Sequence, residues 1–337
     1  MKVAVYYRND DIRIEERPEP RISSGEILVK MMASGICGTD VMEWYRIKKA
    51  PRILGHEMAG EIVAIGEGVE KFKKGDRVFV SHHVPCYKCH HCSQGNYTAC
   101  ESLHSGNYDP GGFSEFISVP EENVKYGTFL LPKEVTFEDA TMIEPFGCVI
   151  AGQNQIGLKK NQSVLIIGSG VSGLLHIQLS KIKGARVIAT DINEYRLNKA
   201  LEFGADYVIN ANEYSVDKLK HLNDDKLADI VIVCASAKKA VDDAISSVDR
   251  KGKLLFFAVP NTDIAIPSMR FWRDELTVTF SYGAAPDNLK EALDLIESGR
   301  VNIRKMITHR VPLSGLVQGF KLVSEAENSL KVVVIPG

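Results

Sequence analysis

Three residues near the start of the chain combine the side-chain types that bind a zinc ion. Cys37 and the pair His56–Glu57 each lie next to glycine, which leaves space for the backbone around them. A thiolate, an imidazole and a carboxylate are all zinc ligands, and three protein ligands with an open fourth position form a catalytic zinc site. The sequence therefore predicts such a site here.

A second set of cysteines indicates a different kind of metal site. Four of the seven cysteines lie within fifteen residues: Cys86, Cys89, Cys92 and Cys100. Four thiolates fill a tetrahedral coordination sphere, which predicts a structural zinc. An iron–sulfur cluster is the rival interpretation, but here the last gap is seven residues and Glu101, not proline, follows. No basic recognition element supports a DNA-binding finger. We interpret the neighbouring histidines as surface residues: His82, His83, His90 and His91.

A glycine pattern in the second half of the chain indicates a dinucleotide site. Gly168, Gly170 and Gly173 follow an apolar stretch that predicts a strand, and an apolar helix pattern comes after them. In such a motif the glycines permit a tight turn, an approach of the pyrophosphate to the backbone, and close packing of helix on strand. Val171 and Ser172 would begin the helix, whose free N–H groups attract phosphate.

An acidic residue after the next strand indicates which dinucleotide binds. Asp191 lies eighteen residues after Gly173. A carboxylate at this place accepts hydrogen bonds from the ribose hydroxyls and repels a 2′-phosphate, so the sequence favours NAD over NADP. Arg196 is a candidate contact for the adenine or the ribose.

The elements that must position these residues fall into two types. Short strands with glycine turns before residue 135 indicate a barrel-like β domain that carries the cysteine lobe at 86–100. From residue 162, strands and helices alternate, which predicts a parallel sheet covered on both faces. The strands are expected at Ser163–Ile167, Arg186–Thr190, Tyr207–Ile209, Ile230–Val233, Lys253–Ala258 and Leu276–Phe280. We expect an α/β protein whose composition shifts near residue 150 and returns to a mixed pattern from residue 284.

Composition excludes several classes of protein. Hydrophobic residues make up 45% and charged residues 25% of the 337 residues, and the net charge is −2. This balance gives no basic surface for nucleic acid or for an anionic membrane. No apolar run approaches the roughly 20 residues that cross a bilayer, and the N-terminus predicts a strand rather than a signal peptide. We therefore expect a cytoplasmic protein.

Taken in this order, the motifs resemble the zinc-dependent medium-chain alcohol/polyol dehydrogenases over essentially the whole chain. Glu144-Pro145 is similar to a segment of the sorbitol and threonine dehydrogenase branch. The resemblance implies a GroES-like β-barrel domain, built from both chain ends (residues 1–150 and 284–337), that holds the catalytic zinc. It also implies a Rossmann doubly wound domain (residues 151–283) that holds NAD, and a homodimer or homotetramer.

The resemblance also assigns roles to individual residues. It implies that Cys37 and His56 bind zinc, and that Glu57 is a ligand or a near neighbour. Glu144 would be a further ligand or the partner of a zinc-bound water, and the sequence leaves open which carboxylate binds directly. Thr39 resembles the hydroxyl group that passes on the substrate proton, and it or Asp40 is also expected to cap a short helix.

These observations predict an oxidoreductase that transfers hydride between a secondary alcohol and NAD. Zinc acidifies a hydroxyl group that it binds, and the cofactor accepts the hydride. The expected substrate is a polyol or sugar alcohol, and L-threonine 3-dehydrogenase is the nearest alternative. A zinc-free quinone reductase and a non-catalytic NAD-binding protein are further alternatives, against which the metal-ligand pattern argues.

Overall fold

The fold is described by a computed structural model that covers residues 1–260 and 263–337. Contacts divide the chain into unit 1, which comprises Met1–Gly147 and Ala284–Gly337, and unit 2, which comprises Cys148–Gly283. Each unit has an apolar core of its own.

The strands are numbered in the order in which they occur along the chain. They are β1 (Lys2–Arg8), β2 (Asp11–Glu16), β3 (Ile27–Gly35), β4 (Arg52–Ile53), β5 (Glu57–Ile65), β6 (Arg77–Ser81), β7 (Phe116–Val119), β8 (Thr128–Leu130), β9 (Ser163–Ile167), β10 (Arg186–Asp191), β11 (Tyr207–Asn210), β12 (Ala228–Val233), β13 (Val248–Phe256), β14 (Thr277–Phe280), β15 (Ile307–Pro312) and β16 (Lys331–Ile335).

The helices separate these strands. They are α1 (Glu43–Arg46), α2 (His90–Ser93), α3 (Glu101–Ser105), α4 (Glu121–Gly127), α5 (Phe137–Ala140), α6 (Ile143–Ile156), α7 (Val171–Ile182), α8 (Glu194–Glu202), α9 (Val216–Leu222), α10 (Lys238–Ser247), α11 (Ser268–Asp274), α12 (Pro286–Glu297) and α13 (Leu316–Glu325). Single 3-10 turns occur at Ile47–Lys49, Tyr97–Ala99, Ala211–Glu213, Arg304–Met306 and Leu313–Gly315.

Unit 1 is built on a sheet with the strand order β15-β16-β3-β5-β6-β8, and β7 also pairs with β3. A smaller sheet has the order β2-β1-β4. The C-terminal strand β16 lies beside β3, antiparallel to it, so residues from the two ends of the chain become neighbours. β3 in turn pairs antiparallel with β5, and Gly35 lies opposite Glu57. This arrangement places the beginning of β5, the end of β3 and the C-terminal strand together.

Unit 2 is a parallel sheet with the strand order β11-β10-β9-β12-β13-β14. The order reverses beside β9, and the glycine pattern follows that strand directly. Every residue of β9 is buried, as expected for a central strand with both faces covered. The predicted doubly wound fold is confirmed, and strand boundaries shift by a few residues, most of all for β13, which begins at Val248 instead of Lys253.

No helix among residues 1–260 and 263–337 is both long enough and apolar enough to cross a membrane.

Candidate active site

The structure brings together the three residues that the sequence predicts as catalytic zinc ligands. Cys37 follows the end of β3, His56 precedes β5, and Glu57 is the first residue of β5. One donor atom of each side chain lies within 4.8 Å of those of the other two. Because β3 pairs with β5, the backbone itself brings together the two segments that carry these three side chains.

The surroundings of these donors fit a metal ion. The Glu57 side chain is fully buried, and its Oε1 has no hydrogen-bond partner among the residues described. A buried carboxylate oxygen without a partner is costly, and a cation bound between the three donors would satisfy it. A thiolate, an imidazole and a carboxylate form a zinc-type donor set.

Asp40 holds the imidazole of His56 from behind. Its Oδ1 lies 3.4 Å from His56 Nδ1, and its Oδ2 accepts a hydrogen bond of 3.1 Å from the backbone N–H of Cys37. Although burial lowers the pKa of His56, Asp40 and Cys37 outweigh this effect and raise the pKa well above its ordinary value. Asp40 and Cys37 therefore favour positive charge on the imidazole, and a metal ion bound at Nε2, the nitrogen that does not face Asp40, would replace the proton.

Thr39 and Arg46 form the next contacts around Cys37. The exposed Thr39 hydroxyl donates to Cys37 Sγ at 3.3 Å and accepts from Arg46 Nη2 at 3.0 Å. The expected capping role of Thr39 or Asp40 is wrong, because α1 begins at Glu43 with Met42 at the N-cap position. The Arg46 side chain is only 16% exposed and pairs with Asp40 at 3.4 Å. Arg46 is therefore part of the site, although no motif in the sequence singles it out.

A lysine that no sequence motif singles out is also present. Lys331 is buried in β16, and its ammonium group forms an ion pair with Glu57 Oε2. The detectable signal is a lysine at the start of the apolar strand Lys331–Ile335, where a charged side chain needs a partner.

Glu144, the other predicted carboxylate, lies in the first turn of α6. It is not among the donors that lie within 4.8 Å of one another. Its charge nevertheless acts on the buried Tyr108, whose pKa is raised well above its ordinary value by burial and then by Glu144, Asp40 and Glu57. Glu144 is therefore near the site, and its role as a ligand stays a prediction.

The four-cysteine lobe is a separate cluster in unit 1. Its four sulfur atoms lie within 4.8 Å of one another, and none of these cysteines forms a disulfide. The backbone N–H groups of Lys88 and Cys89 point at Cys86 Sγ, at 3.4 and 3.3 Å, and lower the pKa of that thiol. N–H groups that converge on sulfur stabilise thiolates, so the lobe fits a closed structural zinc site.

The interpretation of the nearby histidines needs a partial correction. His90 and His91 are exposed as expected, but His82 and His83 are half-buried. The His82 ring lies 5.0 Å from the His56 ring. His82 directly follows β6, which pairs with β5, and this pairing draws it toward the candidate active site.

The predicted dinucleotide loop lies between β9 and α7 in unit 2. Gly168 has a positive φ of 97°, which glycine adopts without strain. A Cβ at Gly173 would overlap the carbonyl group of Gly168, so this position needs glycine for packing. At Gly170 the nearest atoms to a Cβ belong to Arg196, at 3.9 Å. Gly170 is the N-cap of α7 and supplies no side-chain cap, so Val171, Ser172 and Gly173 offer N–H groups to a phosphate.

Asp191 ends β10 beside this loop. Its carboxylate accepts hydrogen bonds from the backbone N–H groups of Ser169 and Asn193, at 2.8 and 2.9 Å. Arg196 Nη1 lies 3.9 Å from Asp191 Oδ2. The acidic residue is therefore fixed by the loop, and Arg196 pairs with it.

Comparison with known proteins agrees with this arrangement. Residues 23–128 match the model of the alcohol dehydrogenase GroES-like domain, and residues 172–298 match that of the zinc-binding dehydrogenases. Sorbitol dehydrogenase of Bacillus subtilis is 32% identical over 100% of this chain and 97% of its own length. L-Threonine 3-dehydrogenase of Pyrococcus furiosus is 36% identical over 86% of this chain and 85% of its own length.

A solved structure extends the likeness to three dimensions. Galactitol-1-phosphate dehydrogenase from Escherichia coli superposes with a TM-score of 0.89 at 28% identity and covers 100% of both chains. With a zinc-type donor set, a four-cysteine lobe and a dinucleotide loop in the same chain, these matches show that the protein belongs to the zinc-dependent alcohol/polyol dehydrogenase family.

Proposed function

We propose that the protein oxidises a secondary alcohol group of a polyol or sugar alcohol with NAD, and catalyses the reverse reduction. The observation that carries the proposal is the convergence of Cys37, His56 and Glu57, with one carboxylate oxygen left without a partner among the described residues. We assign the catalytic role to residues 1–150 with 284–337, and the binding of NAD to residues 151–283. The substrate loses a hydride from carbon and a proton from oxygen, and the products are a ketone, NADH and a proton.

Cys37, His56 and Glu57 would hold the catalytic zinc, and Cys86, Cys89, Cys92 and Cys100 would hold the structural zinc. When bound, zinc lowers the pKa of a hydroxyl group that it contacts, and the oxidised nicotinamide accepts a hydride. For its part the protein keeps His56 Nδ1 against Asp40, so that the imidazole presents Nε2 as a neutral ligand. Glu144 stands close enough to act on charges at the site and is proposed as a further ligand or as the partner of a water.

The proposed proton path leaves through Thr39. Its hydroxyl accepts a hydrogen bond from Arg46, which has no capacity to accept a proton. A proton passed to Thr39 Oγ1 must therefore continue to water, and the exposure of Thr39 supports this route. Arg46 would position the hydroxyl group without taking part in the transfer.

The charges at the site support an uncharged substrate. Two cationic side chains of unit 1 lie at the metal-ligand cluster, and both already have an acidic partner. Lys331 pairs with Glu57, and Arg46 pairs with Asp40. An amino-acid substrate has a carboxylate that needs a cation, whereas a polyol does not. L-Threonine stays the second candidate because of the 36% identity with L-threonine 3-dehydrogenase.

The substrate proposal is tested by NADH formation with a panel of compounds. Protein that contains about two zinc ions per chain should turn over at least one of sorbitol, xylitol, galactitol and butane-2,3-diol. Turnover of L-threonine above every polyol would favour the alternative. Zinc-replete protein that oxidises neither class would contradict the proposal.

The preference for NAD depends on Asp191 and is tested at that residue. Asp191→Asn keeps an acceptor oxygen and removes the charge that would repel a 2′-phosphate. We expect the ratio of kcat/KM for NAD to kcat/KM for NADP to fall about tenfold or more, while the zinc content stays the same. An unchanged ratio would show that the carboxylate does not select the cofactor.

We further propose that the protein is a homo-oligomer, a dimer or a tetramer. The support is the exposure of large apolar side chains on α11 and β14 of unit 2: Met269 at 74%, Trp272 at 77% and Phe280 at 58%. Exposed apolar surface of this kind can mark an interface between proteins. Sedimentation velocity of the full chain should give a dimer or tetramer, and a monomer at micromolar concentration would contradict this.

Finally, we propose the cytoplasm as the compartment. All seven cysteines are free of disulfides in the structure, as expected in a reducing environment. Fractionation of cells that express the chain should recover it with cytoplasmic markers, and recovery outside that fraction would contradict the proposal.

A further inference from the structure

A buried ion pair lies beside the proposed ligands of the catalytic zinc. The ammonium group of Lys331 contacts Glu57 Oε2 and donates a hydrogen bond of 3.3 Å to the carbonyl of Ile36. The side chains are 2% and 0% exposed, respectively. Because β16 is buried on both faces, the charged end of the lysine is shielded from water. Each charge therefore depends on the other.

The sheet of unit 1 provides space for this pair at one glycine. Lys331 lies on β16 and Glu57 on β5, and β3 runs between these two strands. The two side chains meet above Gly35, the last residue of β3. A Cβ at Gly35 would come within 2.7 Å of Lys331 Cε and would also strike Glu57 Oε2. The ion pair thus occupies the volume that a side chain at position 35 would need.

The two oxygen atoms of Glu57 are in different environments. Oε2 is bound by Lys331, whereas Oε1 is buried and has no hydrogen-bond partner among the described residues. Glu57 also belongs to the cluster of donors with Cys37 and His56. The ion pair fixes the carboxylate so that only one oxygen is available as a ligand.

We propose that Lys331 is a positioning residue of the metal site: it holds Oε2 of Glu57 and offsets the charge of that carboxylate. Glu57 then gives the ion one oxygen and little net negative charge, which preserves the ability of the ion to acidify a hydroxyl group. This inference rests on the proposed function, because it takes Cys37, His56 and Glu57 as the zinc ligands. It adds that a residue of the C-terminal strand sets how Glu57 binds the ion.

The test compares Lys331→Met, which removes the charge at similar size, with Lys331→Arg, which keeps it. Without the lysine, both oxygens of Glu57 are free to bind and a repelling cation is lost. We expect the labile zinc of Lys331→Met to pass to a chelator about tenfold more slowly than that of the wild type. In cobalt-substituted protein the visible absorption bands should weaken, because a second carboxylate oxygen raises the coordination number above four. Lys331→Arg should show the zinc-release rate and the cobalt absorption of the wild type.

A second variant, Gly35→Ala, keeps both Lys331 and Glu57 but separates their side chains. Gly35→Ala places a methyl group in the space of the ion pair, so it should slow zinc release and weaken the cobalt bands in the same direction as Lys331→Met. Gly38→Ala is the matched control, because a Cβ at that position meets no atom within 4 Å in the described structure. If Lys331→Met gives no soluble protein, Gly35→Ala decides the question.

Three outcomes would overturn the inference. Zinc release and cobalt spectra identical to the wild type would show that Lys331 does not act on the ion. Faster release with an unchanged spectrum would assign the lysine to folding alone. Failure of Lys331→Arg to restore either quantity would exclude charge as the cause. Failure of the proposed function is recognised separately, because wild-type protein would then lack a second, chelator-labile zinc or would oxidise no alcohol.

Discussion

The candidate metal site of unit 1 and the glycine loop of unit 2 are built by opposite means. The first concentrates charge: Asp40 and Glu57 are fully buried, Asp40 contacts both His56 and Arg46, and Glu57 pairs with Lys331. The second removes side chains: Gly168 turns the backbone, Gly173 permits packing, and Gly170 leaves open space before α7. A charged site should fail when charge or a donor atom changes, whereas an open loop should fail when volume is added.

The substitution with the largest expected effect is Cys37→Ser, which removes a thiolate from the charged site. We expect kcat/KM to fall at least about a thousandfold, beyond the roughly 10–100-fold loss that is typical when an outer partner of a metal site is changed. Affinity for NADH should stay within about twofold of the wild-type value, because the glycine loop belongs to the other unit. Cys148→Ser, which changes a cysteine outside both clusters of metal-ligating side chains, is the control and should retain about two zinc ions per chain. Full activity in Cys37→Ser would exclude the proposed ligand set.

The next effect tests whether the loop depends on open space. Gly170→Ala has room for its methyl group in the free protein, because the nearest atoms lie 3.9 Å away, and it fills the space through which a pyrophosphate approaches. We expect the Kd for NADH, measured by fluorescence titration, to rise about a hundredfold while Tm and zinc content stay unchanged. Gly173→Ala differs because it strikes the Gly168 carbonyl, and it should lower Tm as well. Unchanged NADH binding in Gly170→Ala would place the cofactor elsewhere.

A smaller effect is expected when Asp40, which contacts His56, loses its charge. Asp40→Asn keeps the size of the side chain but weakens its hold on His56 Nδ1, on Arg46 and on the N–H of Cys37. We expect a loss of about 10–100-fold in zinc affinity or in kcat/KM, with NADH binding unaffected. A variant with wild-type zinc affinity and activity would show that Asp40 is only a buried partner of Arg46.

The same contrast explains what the sequence predicts well. The glycine loop, with the strand before it and the helix after it, is one continuous segment, and so is the four-cysteine lobe. Local spacing therefore defines both. Asp191 is also accessible to sequence reasoning, because one helix and one strand set its distance from the loop.

The residues that surround the proposed metal ligands are much harder to predict. Lys331 lies 274 residues from Glu57 in the sequence, and only the order of strands β16, β3 and β5 makes them neighbours. Arg46 resembles a solvated cation in the sequence, because nothing local shows that Asp40 is buried beside it. His82 is expected at the surface for a similar reason, since its approach to His56 depends on the pairing of β5 with β6. Charge pairs formed by tertiary structure have no local signature.

The smallest expected effect comes from a titratable group in unit 2. His176 lies on α7 and is fully buried. Its Nδ1 lies 3.3 Å from Gln153 Nε2, and its ring packs edge-on against Phe257. Burial, and then Lys183, lower the pKa of His176 to about 3. An unfolded histidine has a pKa of about 6.5, so the unfolded state binds the proton first as the pH falls.

Stability from the neutral His176 is therefore complete well above pH 6.5 and declines as the pH falls through 6.5 toward 3. Between pH 8 and pH 6 this single group should lower the free energy of unfolding by about 0.8 kcal/mol. In His176→Asn the loss between these two pH values, measured by urea denaturation, should be smaller by that amount. His221→Asn changes an exposed histidine of the same unit and should follow the wild type. If His176→Asn also follows the wild type, the core beneath the glycine loop admits a protonated histidine, and unit 2 depends on the exclusion of charge less than its structure indicates.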